Sequence, residues 1–447
     1  MRIRKHNRAY FYILLTVLVF LIMIRYAFRV EIPRIVITSV IIAIALLGEQ
    51  NEILAIMMSC IPMHNAIDLY TSLVVCAVIY VLKNIRQFKI DPAVILVLII
   101  AAYELLHCFS EDFSLRIFLV NLTPLIVLIA VFGVDQKKAN YAFVIRTMAV
   151  CAACMSLIML VNVFVRSNWN LSSVFVNLQR LGHLSEEETL YGGSINPNTL
   201  GIISVLATTG LLQLRAMSKQ NKIDVYLIIF LLLLGTFTLS RTFLVCLLLM
   251  TFLWIIGQRG SFKDKLKAIV SIILIAGILL GVLAVVFPSV LANFTKRFQT
   301  DDITTGRDML MVIYHEFIMD NPKVLLFGIG LNNFREKVVN VYHVSENVPH
   351  NSIQEIVVAW GIPGIIMVVL LFIMIIIESK RYGRRKALIN YIPLLIIIAK
   401  SMAGQLLTSG YTMLALSFIY LSMCQRFNQT NILTDKNSIE AVKDLKE

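Results

Sequence analysis

The chain has 447 residues, of which 58% are hydrophobic and only 15% are charged, with a mean hydropathy of +0.82. A soluble globular protein has about 45–50% apolar and about 25% charged residues, so the composition excludes an ordinary soluble fold. The formal net charge of +13 does not indicate a nucleic-acid partner, because Lys and Arg occur in short clusters between apolar blocks. That pattern is typical of membrane proteins and predicts an all-α polytopic fold.

Apolar blocks of helix length follow one another along the chain, and each is a predicted membrane-spanning helix. The first block, AYFYILLTVLVFLIMIRYAF, is longer than the apolar core of a signal peptide and has no cleavage site after it, so we interpret it as a retained span. The interruption IPMHN leaves two alternatives for the short block before it, a spanning or a re-entrant helix. About 12–14 spans are predicted, near residues 9–24, 33–48, 53–63, 66–82, 92–107, 114–132, 141–165, 197–214, 224–239, 241–256, 267–287, 353–377, 387–405 and 408–424.

Charge asymmetry between the connecting segments predicts the orientation. With the N-terminus in the cytoplasm and alternating sides, all six basic clusters and most of the Lys and Arg fall on the cytoplasmic side. Residues 1–427 are then a single membrane domain, and residues 428–447 are a cytoplasmic tail.

Two long segments, about 166–196 and 288–351, lie on the outer side in this orientation. In the second, RDMLMVIYHEFIMD has apolar residues at helical spacing, with a cap at or near Thr305 and an end at Asn321–Pro322. This helix either lies on the membrane surface or packs over the spans. Transporters keep their binding sites near the midplane, whereas two long outer loops favour a site at the outer face.

Two arginines are candidate anion ligands. Arg241 lies in a tight turn between apolar blocks, where it either extends to lipid headgroups or uses its planar fork to bind phosphate oxygens. Arg307 either forms a surface ion pair with Asp301, Asp302 or Asp308, or is a second cation for the same anion.

His350 and Asn351 follow Pro349 at the start of a long apolar block. An imidazole can accept a proton from an attacking hydroxyl near neutral pH, so His350 is a candidate general base, although it can also be an interfacial or capping residue. Asn351 can cap the helix that follows.

Further candidate substrate contacts are Arg166, Arg180, Asn196, Asn198, Asn351 and Lys400. Each has a structural alternative. Arg166 can anchor a helix end at the interface, Asn196 can cap the next helix, and Lys400 can pair with a buried group.

No metal site and no cofactor are predicted. The Cys151-x-x-Cys154 pair lies in an apolar block without a neighbouring His, so packing is its expected use. The adjacent carboxylates of Glu186, Glu187 and Glu188 do not converge on a helix or a strand.

Four segments together resemble the O-antigen ligase/polymerase superfamily over about residues 190–375: SRTFLV, TGRDML, NPKVLLFGIGLNNF and PHNSIQEIVVAWGIPG. The block that is typical of the family has an Arg, an Asn-Pro pair, a G-x-G, a His-Asn and a G-x-x-G. Its counterparts in this sequence are Arg307, Asn321–Pro322, Gly328 and Gly330, His350–Asn351, and Gly361 and Gly364.

The resemblance implies a GT-C-like, metal-independent, inverting glycosyltransferase in the bacterial cytoplasmic membrane. Its donor would be an undecaprenyl-diphosphate-linked oligosaccharide, with Arg241 and Arg307 on the diphosphate and His350 on the acceptor hydroxyl. The favoured function is a Wzy-type polysaccharide polymerase, with a chain-length regulator and a flippase as expected partners besides membrane lipid. Alternatives are a ligase for the finished glycan, a lipid-linked oligosaccharide transporter, and a non-enzymatic scaffold.

Overall fold

The computed structural model describes residues 8–107, 115–170, 180–182, 196–217, 221–258, 261–286, 307–343, 349–382, 388–402 and 404–424, together with single residues 288, 292 and 295. The described part is all-α, and its one β-contact is an isolated bridge between Phe88 and Val134. The α-helices of five residues or more are α1 Ala9–Tyr26, α2 Arg34–Leu47, α3 Gln50–Met63, α4 Leu69–Lys83, α5 Pro92–Leu106, α6 Leu115–Gly133, α7 Tyr141–Arg166, α8 Pro197–Met217, α9 Lys222–Phe237, α10 Arg241–Gly257, α11 Phe262–Val286, α12 Arg307–Asp320, α13 Lys323–Phe327, α14 Ser352–Tyr382, α15 Ile392–Met402 and α16 Gly410–Met423.

A helix lies at each position predicted for a membrane span. Among the described residues, four helices have the length and hydropathy to cross a membrane: Ala9–Tyr26, Tyr141–Arg166, Pro197–Ala216 and Ser352–Lys380. Other apolar helices of 10–17 residues accompany them. The fold is therefore that of an all-α polytopic membrane protein.

α8, α9 and α10 pack together and have short connections, so they run in alternating directions and their ends alternate between the two ends of the bundle. We call the end that carries Arg166 and Asn198 the long-loop end, and the end that carries Lys222 and Gly257 the basic end. The two helices around the predicted interruption at IPMHN are both present, and residues 52–63 of α3 are all buried. α3 packs along α7 at the centre of the bundle.

Two charge pairs hold helices together at the basic end. Arg146 in α7 donates through Nε and Nη2 to both carboxylate oxygens of Asp224 in α9, at 2.7 and 2.8 Å. Arg8 Nε lies 2.9 Å from Oε1 of Glu52 in α3. Both carboxylates are buried, so each depends on its partner for compensation of its charge.

The helix predicted in the second long loop is α12, and it packs against α14. Its buried side is formed by Leu310, Tyr314 and Phe317, while Met309 and Val312 are exposed. Of the two predicted placements, packing over the spans is therefore observed. The predicted cap at Thr305 lies outside the described residues.

The G-x-x-G segment of α14 contains a kink, and α13 packs closely against it, because a Cβ at Gly361 would lie 2.8 Å from the carbonyl oxygen of Leu325. Gly361 has φ +66° and ψ −160°, which no regular helix contains. Pro363 lacks an N–H, so it cannot bond to the carbonyl of Ala359 four residues earlier. The backbone N–H of Gly330 donates to that carbonyl instead, at 2.8 Å.

Candidate functional site

Arg241 is the first residue of α10, and the turn before it has a specific conformation. Ser240 is the N-cap, and its Oγ accepts from the backbone N–H of Phe243 at 3.2 Å. Leu239 has φ +48°, a conformation that is uncommon for any residue except Gly. Strained residues of this kind persist only where the surroundings fix them, and they cluster at binding sites.

The surroundings of this turn include two of the predicted substrate contacts. Asn198 Oδ1 accepts from Ser240 Oγ at 2.8 Å and from Arg180 Nη2 at 2.9 Å. Arg180 Nε also donates to the carbonyl oxygen of Thr238 at 3.2 Å. Arg180 and Asn198 thus connect the start of α8 to the turn that presents Arg241.

Asn196 caps α8, as the capping interpretation predicts. Its side-chain oxygen accepts from the backbone N–H of Asn198 at 2.8 Å, and its carbonyl accepts from Leu200 at 3.0 Å. Pro197 takes the first helical position, where its missing N–H has no cost. Arg166 is the last residue of α7 and lies at the same end of the bundle, partly buried.

His350 directly precedes the cap of α14. Asn351 Oδ1 accepts from the backbone N–H of Ile353 at 2.9 Å and of Gln354 at 3.4 Å, which confirms the predicted cap. His350 is partly buried and Pro349 is buried. We call the segment from Pro349 to the first turn of α14 the mouth of α14.

A hydrogen bond between α12 and α14 brings two candidate residues into one neighbourhood. Gln354 Nε2 donates to the carbonyl oxygen of Met311 at 2.9 Å. Arg307 lies one helical turn, about 5.4 Å, before Met311, and His350 lies four residues before Gln354, just before α14 begins. The backbones of Arg307 and His350 are therefore each within four residues of this bond, while the Arg307 side chain is outside the described part of the structure.

Glu355, in the first turn of α14, is not among the predicted site residues. It holds the segment that lies beside the start of this helix. It is fully buried and accepts backbone N–H bonds from the three residues 406–408, at 2.6, 3.0 and 2.8 Å, and a bond from the Thr408 hydroxyl. Ser352 Oγ donates to the carbonyl of Gly404 at 3.0 Å. The sequence contained one signal for this role. An acidic residue in an apolar membrane helix usually faces the interior of the bundle and is paired there.

Tyr314 of α12 lies near this carboxylate. Burial raises the pKa of the Tyr314 hydroxyl, and the negative charge of Glu355 raises it further. The phenol therefore stays protonated, and α12 presents a neutral group toward the carboxylate.

Lys400 of α15 is buried and makes its contacts within the protein. Its Nζ donates to the carbonyl of Gln405 at 2.5 Å and to Thr412 Oγ1 at 2.8 Å, and it lies 5.0 Å from the centroid of the Tyr411 ring. Of the alternatives for Lys400, pairing with buried groups is therefore observed. Lys400 and Glu355 both hold the segment between α15 and α16.

The G-x-G loop after α13 docks on the kink of α14. Gly328 has φ +70° and Gly330 has φ +78°, so both adopt the left-handed region that favours glycine. Ile329 N–H donates to the carbonyl of Val358 at 2.8 Å. A Cβ at Gly328 would lie only 2.2 Å from the carbonyl oxygen of Ala359, so the two backbones meet without space for a side chain.

A second buried carboxylate, Glu104 of α5, fixes this junction and was also missed from the sequence. It accepts from Trp360 Nε1 at 2.6 Å and from the backbone N–H of Leu331 at 3.1 Å. Tyr103 donates to the carbonyl of Phe327 at 3.0 Å. These bonds connect the G-x-G loop and the kink of α14 to α5.

The turn of Arg241 and the mouth of α14 lie at the same end of the bundle. α10 and α15 pack antiparallel, because a Cβ at Gly257 would lie 2.8 Å from the Ile389 side chain at the basic end. Arg241 and Met402 therefore lie at the long-loop end, where the segment after α15 also receives the Ser352 bond.

The electrostatics of this end favour an anion. A helix N-terminus carries about half a positive charge, so a cation at the first helical position opposes the dipole by about 0.3–1 kcal/mol. Arg241 occupies that position in α10, and Arg307 begins the described part of α12. Backbone N–H groups at the starts of α8 and α10 add to this positive potential, which suits a phosphate. At the start of α14, the carboxylate of Glu355 offsets it.

Comparison with known proteins identifies a family match for part of the chain. Residues 225–369, about one third of the chain, match the protein-family model described as O-Antigen ligase. The matched segment contains Arg241, Arg307 and His350, while Arg180 and Lys400 lie outside it. No curated protein matches the chain. The resemblance to the O-antigen ligase/polymerase superfamily, a group of membrane enzymes that act on glycans, is therefore confirmed over residues 225–369.

Proposed function

We propose that this protein is a glycosyltransferase that takes a glycan from undecaprenyl diphosphate, and that it is a polysaccharide polymerase. The observation that supports this most strongly is the Gln354–Met311 hydrogen bond, because it links the helix that Arg307 begins to the helix that His350 precedes. Arg241 begins a third helix at the same end. Two cations and one base in this arrangement suit a diphosphate donor and a hydroxyl acceptor.

In the proposed reaction, the guanidinium groups of Arg241 and Arg307 bind the diphosphate. The acceptor hydroxyl attacks the anomeric carbon, the bond from that carbon to the diphosphate oxygen breaks, and undecaprenyl diphosphate leaves with the electron pair. His350 accepts the hydroxyl proton, a contribution of roughly 10²–10⁴-fold. Stabilisation of the developing negative charge by the arginines contributes several kcal/mol.

The other candidate residues have supporting roles in this proposal. Arg180 and Asn198 position the Arg241 turn, Asn196 and Asn351 cap the helices that border the site, and Lys400 holds the segment beside α14. Arg166 contributes a further positive charge at the same end.

The cellular arrangement is part of the same proposal. Residues 1–427 form one domain in the bacterial cytoplasmic membrane, with the long-loop end outside and both termini, including the tail 428–447, in the cytoplasm. A flippase would supply the lipid-linked donor, and a chain-length regulator would set the product length.

A ligase is the second candidate, because the matched family model is described as O-Antigen ligase. Both activities use the same donor and the same leaving group. They differ in the acceptor, which is another lipid-linked glycan for a polymerase and a different molecule, such as lipid A-core, for a ligase.

The test uses the purified full-length chain in vesicles with lipid-linked oligosaccharide from a strain that lacks this gene. We expect a ladder of products that needs no lipid A-core, and no product from His350→Ala. His315→Ala is the matched control, because His315 is exposed on α12, and it should keep the ladder. A ladder from His350→Ala at the wild-type rate would refute the base assignment, and transfer only to lipid A-core would establish the ligase.

A further inference from the structure

An apolar groove runs between α14 and α15, away from the candidate site. Its volume is about 550 Å³, within the range of about 300–1,000 Å³ that small-molecule sites occupy. Its walls include Val369 and Ile373 of α14 with Leu394 and Ile398 of α15, and Lys380 and Tyr391 also line it. Val369 and Ile373 are exposed at the surface of α14, so the groove opens sideways from the bundle.

The groove is about as long as the hydrocarbon part of one membrane leaflet is thick. From Val369 to Lys380, α14 rises about 16 Å at about 1.5 Å per residue. The hydrocarbon core of a bilayer is about 30 Å thick, so one leaflet is about 15 Å. The groove therefore starts near the membrane midplane and ends at the basic end of the bundle.

The groove suits a single extended apolar chain. Its walls are mainly apolar side chains from two neighbouring helices, and along α14 it extends from Val369 to Lys380. An acyl chain can lie in such a groove with its length against these side chains.

The positive charge at one end of the groove favours a lipid with an anionic headgroup. Lys380 is exposed at the end of the groove that would meet the lipid headgroups, and the sequence continues as KRYGRRK. Clusters of Lys and Arg directly after a membrane helix attract anionic lipids. Tyr391, with an apolar ring and a polar tip, suits the same interfacial depth.

We propose that this groove binds one acyl chain of an anionic phospholipid from the leaflet at the basic end, with the lipid phosphate on Lys380. The site is separate from the proposed catalytic residues, which lie at the opposite end of the bundle.

The test is native mass spectrometry of the full-length chain after exchange into equal amounts of phosphatidylglycerol and phosphatidylcholine. The wild-type chain should retain phosphatidylglycerol preferentially. Lys380→Gln should lower the ratio of the two retained lipids about fivefold, the effect expected for one Lys near a membrane surface. Lys222→Gln makes the same charge change at the same end but outside the groove, and should leave the ratio unchanged.

Two tryptophan variants test the groove itself. Ile373→Trp fills it and should remove retention of both lipids, whereas Ile366→Trp, at an exposed position of the same helix outside the groove, should not. Equal loss of selectivity in Lys380→Gln and Lys222→Gln would overturn the proposal in favour of diffuse surface charge. A lipid-free dimer would assign the groove to a second copy, and a retained polyprenyl lipid would assign it to the tail of the substrate; either result would overturn the proposal.

Discussion

At the residue scale, the segments around the candidate catalytic residues depend on two polar neighbours, the buried Glu355 and the partly buried Asn198. Glu355 uses both carboxylate oxygens to hold residues 406–408 beside the mouth of α14. Asn198 uses one oxygen to hold both Arg180 and Ser240. Buried donors without an acceptor are costly, so these two side chains fix the positions of the segments around His350 and Arg241.

Replacement of Glu355 tests this dependence. Glu355→Gln keeps the shape but replaces one acceptor oxygen with an NH₂ group that faces backbone N–H donors. Each buried donor left without an acceptor costs about 1–3 kcal/mol, so the midpoint of thermal unfolding in detergent should fall clearly. Glu316→Gln makes the same charge change at an exposed position of α12 and should leave the midpoint nearly unchanged. Equal midpoints for the two variants would show that the carboxylate does not hold this segment.

At the element scale, two glycine motifs that are distant in sequence form one junction. The G-x-G loop donates backbone N–H bonds to the carbonyls of Val358 and Ala359, which the kink of α14 leaves available. Because this junction joins α13 to α14, it also fixes the connection that follows α12.

A single added methyl group should disrupt the junction. Gly328→Ala places a Cβ about 2.2 Å from a carbonyl oxygen and forces an unfavourable φ of +70°, so we expect a loss of at least about 1–3 kcal/mol in stability. Gly277→Ala is the control, since Gly277 lies in α11 with open space around it and the change should stabilise the helix by about 0.5–1 kcal/mol. Thermal unfolding of both variants in detergent measures the difference. A neutral Gly328→Ala would contradict the close approach of the two backbones.

At the scale of the whole molecule, charge pairs with a buried carboxylate and antiparallel packing determine which residues lie at the same end of the bundle. The Arg146–Asp224 pair fixes α7 against α9 at the basic end. Removal of one partner leaves the other charge uncompensated in a largely apolar environment.

Asp224→Ala should therefore destabilise the protein by roughly 2 kcal/mol. This is less than the roughly 3–5 kcal/mol for a fully buried pair, because Arg146 is 31% exposed and solvent screens part of its charge. A double-mutant cycle with Arg146→Ala measures the coupling between the two residues. A coupling energy near zero would show that the pair does not hold α7 against α9.

The sequence predicts the helices and their caps well, because both depend on local residues. Long apolar blocks predict spans such as α7, and Asn196 and Asn351 are recognisable as caps from the residues that follow them. The tertiary partners of these helices are not local. Glu104 and Trp360 are separated by 256 residues, so no periodicity indicates that they meet.

The kink of α14 shows how far a local pattern reaches. The small side of Gly361 does admit a close neighbour, the backbone of α13, but the glycine spacing alone does not indicate that Gly361 takes a positive φ and interrupts the helix. Pro363, two residues later, was the available signal, because a proline inside a helix frees a carbonyl four residues earlier.

The most direct test of the central claim is a cryo-electron microscopy structure of the full-length chain with undecaprenyl diphosphate. We predict that the diphosphate lies at the long-loop end, with its oxygens about 2.7–2.9 Å from guanidinium nitrogens of both Arg241 and Arg307 and with His350 facing the terminal phosphate, to which the sugar is attached in the donor. Density for the diphosphate away from these arginines, or at the basic end, would refute the proposed site.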